Sequence, residues 1–215
     1  MLSPHEGRLL AGAIARLLRD SSRLDDIHLV AELVGRRRFA ALLAEGRRLD
    51  SPILRERPEI DGHSVDFERL RSLPAETLGG AYVRHLDGNG LKLYLDQTSD
   101  RVIRDPEVGY LIHRYRQVHD IWHVLLGLGV QPHEEVLVHA FVLGLLGLPN
   151  SALIVGFGGV QHLLLRRRWQ AIRALPGAYQ SGRAAAGLLW VQLEELWERP
   201  LAQVRAELGV EPVTY

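Results

Sequence analysis

Cysteine is absent from all 215 residues, which removes disulfides, zinc–thiolate sites, iron–sulfur clusters and thiol nucleophiles together. Any metal must be held by His, Asp, Glu or water, and ten histidines are available for it. Excess charge is absent too. The 26 basic residues balance 26 acidic ones, whereas a general nucleic-acid binder carries a basic surplus, so no nucleic-acid partner is expected. Lys92 is the single lysine beside 25 arginines, which reads as the codon usage of a GC-rich bacterium. A long apolar run is also missing. Residues 136–165 are mostly apolar, but His139, Pro149-Asn150 and Gln161-His162 interrupt them, and no stretch reaches the ~18–20 residues needed to span a bilayer. The first residues lack a basic n-region and carry Glu6 early, so no signal peptide is expected.

What is present, 47% apolar and 24% charged residues, suits a globular chain with a sizeable core. Ser3-Pro4-His5-Glu6 reads as a capping box with proline at the first helical position. Further helices are expected at about 25–34, 36–45 and 75–86, with Gly35 and Gly46 as stops. The segment from about 50 to 105 is rich in Pro and Gly and irregular, with one strand-like alternation at Leu91-Lys92-Leu93-Tyr94-Leu95. Asp105-Pro106 restarts helix, which runs to about Leu126. Helices then follow at about 132–147, 151–174, 181–198 and 200–208. With no repeat, low-complexity tract or linker, the expectation is a mainly α fold: one multi-helix domain over 1–215.

The informative segment is His119-Asp120-Ile121-Trp122-His123, followed twelve residues on by Glu135. On a helix, residues four apart lie one above the other, so His119 and His123 share a face with Asp120 about 100° round. Two imidazoles and a carboxylate at that spacing suit a metal ion. In one straight helix Glu135 would stand ~18 Å from His123. Gly127, Gly129 and Pro132 break the helix instead and let a second one return with Glu135 in its first turn. Apolar flanks place these polar groups on a mostly buried helix, where unpaired charge is costly. An ordinary surface histidine pair remains the plainer alternative. His139, one turn beyond Glu135, reads as a hydrogen-bonded core histidine or an added ligand, and Arg116 as a carboxylate-binding group or the partner of a nearby Glu. Glu134 reads as solvated, or as the ligand if the turn is one residue off. Arg36-Arg37-Arg38 and Arg166-Arg167-Arg168 read as solvated turns or contacts for anionic lipid.

The pattern His-Asp-x-x-His, eleven residues, then Glu resembles the signature of the coenzyme Q biosynthesis protein 4 family. Ile53-Leu54-Arg55-Glu56-Arg57-Pro58, Leu73-Pro74 with Thr77-Leu78-Gly79 and Tyr82, Arg114-Tyr115-Arg116, Gly147-Leu148-Pro149 and Arg205-Ala206-Glu207-Leu208-Gly209 extend the resemblance over roughly 50–210. Asn150-Ser151 and Val160 depart from it, where the family has Met-Cys and Pro.

The resemblance implies metal ligands at His119, Asp120, His123 and Glu135, and metal-dependent C1 decarboxylation of a prenylated 4-hydroxybenzoate intermediate of ubiquinone biosynthesis. Asp120, Glu135 and Arg116 are the expected catalytic residues. The metal is expected to be divalent: zinc first, with iron, manganese or magnesium as alternatives. A redox-active ion would suit decarboxylation coupled to hydroxylation. Expected partners are the prenylated acid or another polyprenyl lipid, a membrane surface, other quinone-biosynthesis proteins and a second copy of the chain. The expected location is the bacterial cytoplasm, peripherally on the inner membrane. Two alternatives stay open: a non-catalytic lipid-binding scaffold, and a metal-dependent phosphohydrolase acting on a prenyl phosphate. A groove for the tail is expected along 135–147 and 151–165, its room made by glycines such as Gly156 and Gly159, unless these serve close packing.

Overall fold

Where capping residues precede an apolar repeat, helices begin. The computed structural model describes residues 3–20, 23–93, 102–185 and 187–215. In α1 (Pro4–Leu17), the Ser3 hydroxyl accepts the Glu6 N–H and the Glu6 carboxylate accepts the Ser3 N–H. Two helices were expected next, but α2 (Leu24–Arg48) runs unbroken through Gly35 and Gly46. Gly46 serves packing. A Cβ at Gly46 would stand 2.6 Å from the Trp190 ring, and one at Gly35 would touch Phe39 and Asn150.

The irregular middle holds α3 (Pro52–Glu56), α4 (Phe67–Ser72) and α5 (Leu78–Asn89), the last capped by the Thr77 hydroxyl. Of the strand-like alternation only 91–93 are described, and they form no strand; 94–95 lie outside the described residues.

The axis of the fold is α6 (Pro106–Leu126), capped by Asp105 and buried over most of its length. Two ion pairs pin it to its neighbours. Arg114, fully buried, makes two parallel bonds to Glu194 at 2.7 and 3.1 Å. Arg116 meets Glu32 of α2 at 2.9 Å, both side chains nearly sealed from solvent. Removing one partner of such a pair costs about 3–5 kcal/mol, because the other charge is stranded.

Helix α7 (Pro132–Leu146) is apolar on nearly every side, so it needs cover all round. The sequence meets this with α9 (Trp169–Ala184), which packs on α7 backbone to backbone. A Cβ at Gly182 would lie 2.0 Å from the Phe141 carbonyl oxygen, and one at Gly144 would lie 2.1 Å from that of Tyr179.

Between them, α8 (Pro149–Leu153) passes into a π-helical stretch, Ile154–Leu164. One helix over 151–174 was expected. The chain instead turns at 165–168, with Arg167 at φ +54°. Pro176 then sits inside α9 without ending it. A helix over 181–198 is likewise replaced by two 3-10 turns, Leu188–Trp190 and Leu193–Leu196, after Gly187 at φ +92°. The last helix is α10 (Leu201–Leu208). Among the described residues the fold is mainly α, as expected, around one buried apolar cluster.

Candidate metal centre

The turn from α6 to α7 builds the site. Gly127 ends α6 at φ +70°, a conformation that favours glycine, and Leu128 N–H returns to the His123 carbonyl. Arg205 of α10 donates to the last carbonyls, those of Val124 and Leu125, at 2.9 and 2.7 Å. The Glu134 carboxylate caps α7 by accepting the N–H groups of Gly129 and Gln131, both at 2.9 Å, and Tyr215 donates its hydroxyl to the same carboxylate. Burial pushes the Glu134 carboxyl up, and these donors outweigh it, leaving the pKa lowered. Glu134 is therefore engaged as a cap, where a solvated residue or a substitute ligand was expected.

This turn sets Glu135 against the histidine pair. The two Nε2 atoms of His119 and His123 face each other at 3.2 Å. The Glu135 carboxylate lies 3.5 Å from His123 Nε2 and 3.7 Å from His119 Nε2. One ligand atom from each of the three residues lies within 4.8 Å of the others. Burial pushes Glu135 up, but hydrogen bonds from both imidazoles hold it well below the usual carboxylate range. Burial also pulls His123 down, and Glu135, the Gly129 carbonyl and Asp120 together more than reverse that. Positive charge is wanted between these groups.

A metal ion fits the demand. The 3.2 Å separation of the two nitrogens is one that two ligands of a single ion can span. His123 Nδ1 donates to the Gly129 carbonyl at 2.8 Å, so Nε2 is the nitrogen that would turn its lone pair to an ion once deprotonated, the usual way a ligating histidine is oriented. The site is deeply enclosed, yet Glu135 keeps 36% and His119 18% of its side chain open. They line a cleft.

Asp120 is not among the three converging groups. Its step of about 100° round α6 brings its charge to bear on Tyr82 and His85 of α5 as well as on His123. Arg116, read as a carboxylate-binding group or the partner of a nearby Glu, pairs with Glu32. His139 lies with its ring 5.5 Å from that of His119 and its Nδ1 3.1 Å from Ser151 Oγ.

His85, outside the three converging groups, belongs to α5. Its ring lies 5.5 Å from that of His123, and its Nε2 is buried without a hydrogen-bond partner. Burial, then His123, lowers its pKa. The only signal for it was its position three residues after Tyr82, on the same face of α5.

Residues 5–214 match the family model described as "Coenzyme Q (ubiquinone) biosynthesis protein Coq4". The chain is 34% identical over 204 residues to the mitochondrial ubiquinone biosynthesis protein COQ4 homolog of Bos taurus, covering 94% of this chain and 77% of that protein. It is 34% identical over 207 residues to the Homo sapiens counterpart, covering 95% and 78%. A crystal structure of a Nostoc punctiforme PCC 73102 protein assigned to ubiquinone biosynthesis superposes with a TM-score of 0.74 at 22% identity, covering 95% of this chain and 98% of the other. That likeness shows the fold. The expected location, bacterial cytoplasm beside the inner membrane, is corrected by the relatives, which are mitochondrial proteins. Among the described residues no helix is long and apolar enough to cross a membrane.

Proposed function

The chain belongs to the coenzyme Q (ubiquinone) biosynthesis protein Coq4 family, and from that premise we propose that it removes the C1 carboxyl group of a prenylated 4-hydroxybenzoate intermediate. The observation that carries the reading is the convergence of His119, His123 and Glu135 on one largely buried point. We take these three as the ligands of a divalent metal. Zinc is the first choice for a simple lyase, and iron for decarboxylation coupled to hydroxylation. When bound, the metal supplies a Lewis acid toward the carboxylate oxygens.

The protein's own groups do the rest. Glu135 and the two imidazoles fix where the carboxyl end of the ring sits, and the buried walls of α6 and α7 limit water. As the carboxyl group leaves as CO₂, C1 must take a proton, or, with O₂ as oxidant and a two-electron reductant supplied, a hydroxyl group. Asp120, a carboxylate beside the converging groups, is the residue we assign to proton handling there.

A specific surface favours a lipid partner. Phe157, Val160, Leu164, Leu165 and Trp169 are exposed, Arg166–Arg168 follow the apolar stretch, and no Asp or Glu occurs between Val136 and Leu193. Such a face suits contact with lipid bearing anionic head groups. The same face favours the second reading, a lipid-binding scaffold for other quinone-biosynthesis proteins whose metal is structural.

Complementation separates the two. In cells lacking the family member, Glu135→Gln and Asp120→Asn should fold normally and fail to restore C1 decarboxylation. Full rescue by both would leave the scaffold.

A further inference from the structure

Residues 209–215 lie across the turn that carries the metal centre, and the reading above gives them no part. Val210, just past α10, is buried. The Glu211 N–H reaches Ser181 Oγ of α9 at 3.2 Å, and the Val213 N–H reaches the Leu126 carbonyl at the end of α6 at 2.9 Å. Contacts to two helices thus fix the path of the segment, and that path delivers Tyr215 to Glu134. The Tyr215 ring stands edge-on to that of His133, with centroids 5.5 Å apart.

From Tyr215 a line of hydrogen bonds runs inward to a ligand. The Tyr215 hydroxyl donates to Glu134 Oε1 at 2.9 Å, and the same oxygen accepts the Gly129 N–H at 2.9 Å. The Gly129 carbonyl in turn accepts from His123 Nδ1 at 2.8 Å. A Cβ at Gly129 would stand 2.7 Å from Glu134 Oε2, so glycine lets the carboxylate lie against the backbone that holds His123.

A ligating imidazole points where its other ring nitrogen is held, and the groups that hold it tune the site. Gly129 lies in the turn between α6 and α7, outside any helical ladder, so its peptide is fixed by what it bonds to. Glu134 supplies that bond, and Tyr215 fixes the carboxylate. We propose that Tyr215 is a positioning residue for the metal centre: through Glu134 and Gly129 it holds the His123 ring with Nε2 turned to the ion. The assignment rests on the reading of His119, His123 and Glu135 as metal ligands. It makes the 209–215 segment a strap that sets metal affinity.

The test is zinc titration of the full chain against a chromophoric chelator, well below the Tm. Glu134→Ala removes the partner of Gly129 and should weaken zinc by about tenfold, the lower end for losing an outer partner of a ligating histidine. Tyr215→Phe removes one hydrogen bond and should weaken it by about threefold, with the Tm of the metal-free protein nearly unchanged. In the Glu134→Ala background, Tyr215→Phe should add nothing, because its effect passes through that carboxylate. In zinc-loaded protein with labelled histidine, NMR should show the His123 Nδ1 proton exchanging faster with solvent in Tyr215→Phe than in the wild type. A purely structural role would instead lower the Tm and leave affinity and proton exchange as they are. Wild-type zinc affinity in Tyr215→Phe, or the same loss in both backgrounds, overturns the proposal and leaves the ligand reading standing. A wild type that binds no zinc removes the ligand reading and the proposal with it.

Discussion

Glu134 and Glu135 are neighbours with different work, and exchanging them one at a time separates the two roles. Glu134 accepts three hydrogen bonds at 2.9 Å, from Gly129 N–H, Gln131 N–H and Tyr215 O–H. Gln131 and Tyr215 are exposed and can turn to water, whereas Gly129 is held in the turn. A capping side chain of this kind contributes about 1–2 kcal/mol, so Glu134→Ala should lower the Tm by about 2–8 °C for a chain of this size. Glu135→Gln leaves that cap intact but withdraws the negative charge facing two imidazoles. Metal should be lost, with a smaller change in the melting of the metal-free protein. Unfolding should be followed by circular dichroism in excess chelator, because bound metal would add its own stabilisation. Elemental analysis of natively purified protein supplies the other half. If Glu134→Ala loses metal while Glu135→Gln retains it, the assignment of the two carboxylates is refuted.

Other outcomes follow from packing and charge. Gly182→Val should cost about 3 kcal/mol or more, because its Cβ would overlap the Phe141 carbonyl, whereas Gly159→Leu, facing open space, should shift the Tm little; equal effects in thermal melts would contradict the α7–α9 contact. Arg116→Met should destabilise by about 3–5 kcal/mol by stranding Glu32, and Arg116→Met with Glu32→Met should recover most of it; chemical denaturation measures both, and a double variant as stable as wild type yet inactive would give Arg116 a part in the chemistry. Arg36 beside Glu6, with the Ser3 N–H, holds the Glu6 carboxyl down at about 2. A depressed carboxyl stabilises above its unfolded pKa and loses that contribution as pH falls, so the α1–α2 contact should loosen between about pH 4.5 and 2; NMR titration of Glu6 with a midpoint near 4.5 would oppose this.

The histidine pair and Glu135 were legible because helical spacing and a Gly/Pro break are both visible in the letters. Asp120 shows where such reasoning stops. Spacing places it near His123, but the rotation of α6 also directs its charge toward Tyr82 and His85, and that depends on where α5 packs. His85 itself comes from a distant helix, and no local pattern joins it to the site. Gly46 was misread because a glycine that ends a helix and one that admits a neighbouring side chain look alike in sequence; the Trp190 ring over Gly46 tells them apart. The π-helical turn spacing of Ile154–Leu164 and the survival of α9 past Pro176 likewise depend on tertiary contacts.

The most direct test of the central claim is the release of labelled carbon dioxide from a prenylated 4-hydroxybenzoate carrying the label in its C1 carboxyl group. Purified wild-type protein with one divalent ion per chain, given O₂ and a reductant for the oxidative form, should release the label. Chelation or His123→Ala should stop it, and restoring metal should rescue only the chelated wild type. A metal-replete wild type that binds the acid and releases no label would contradict the catalytic account.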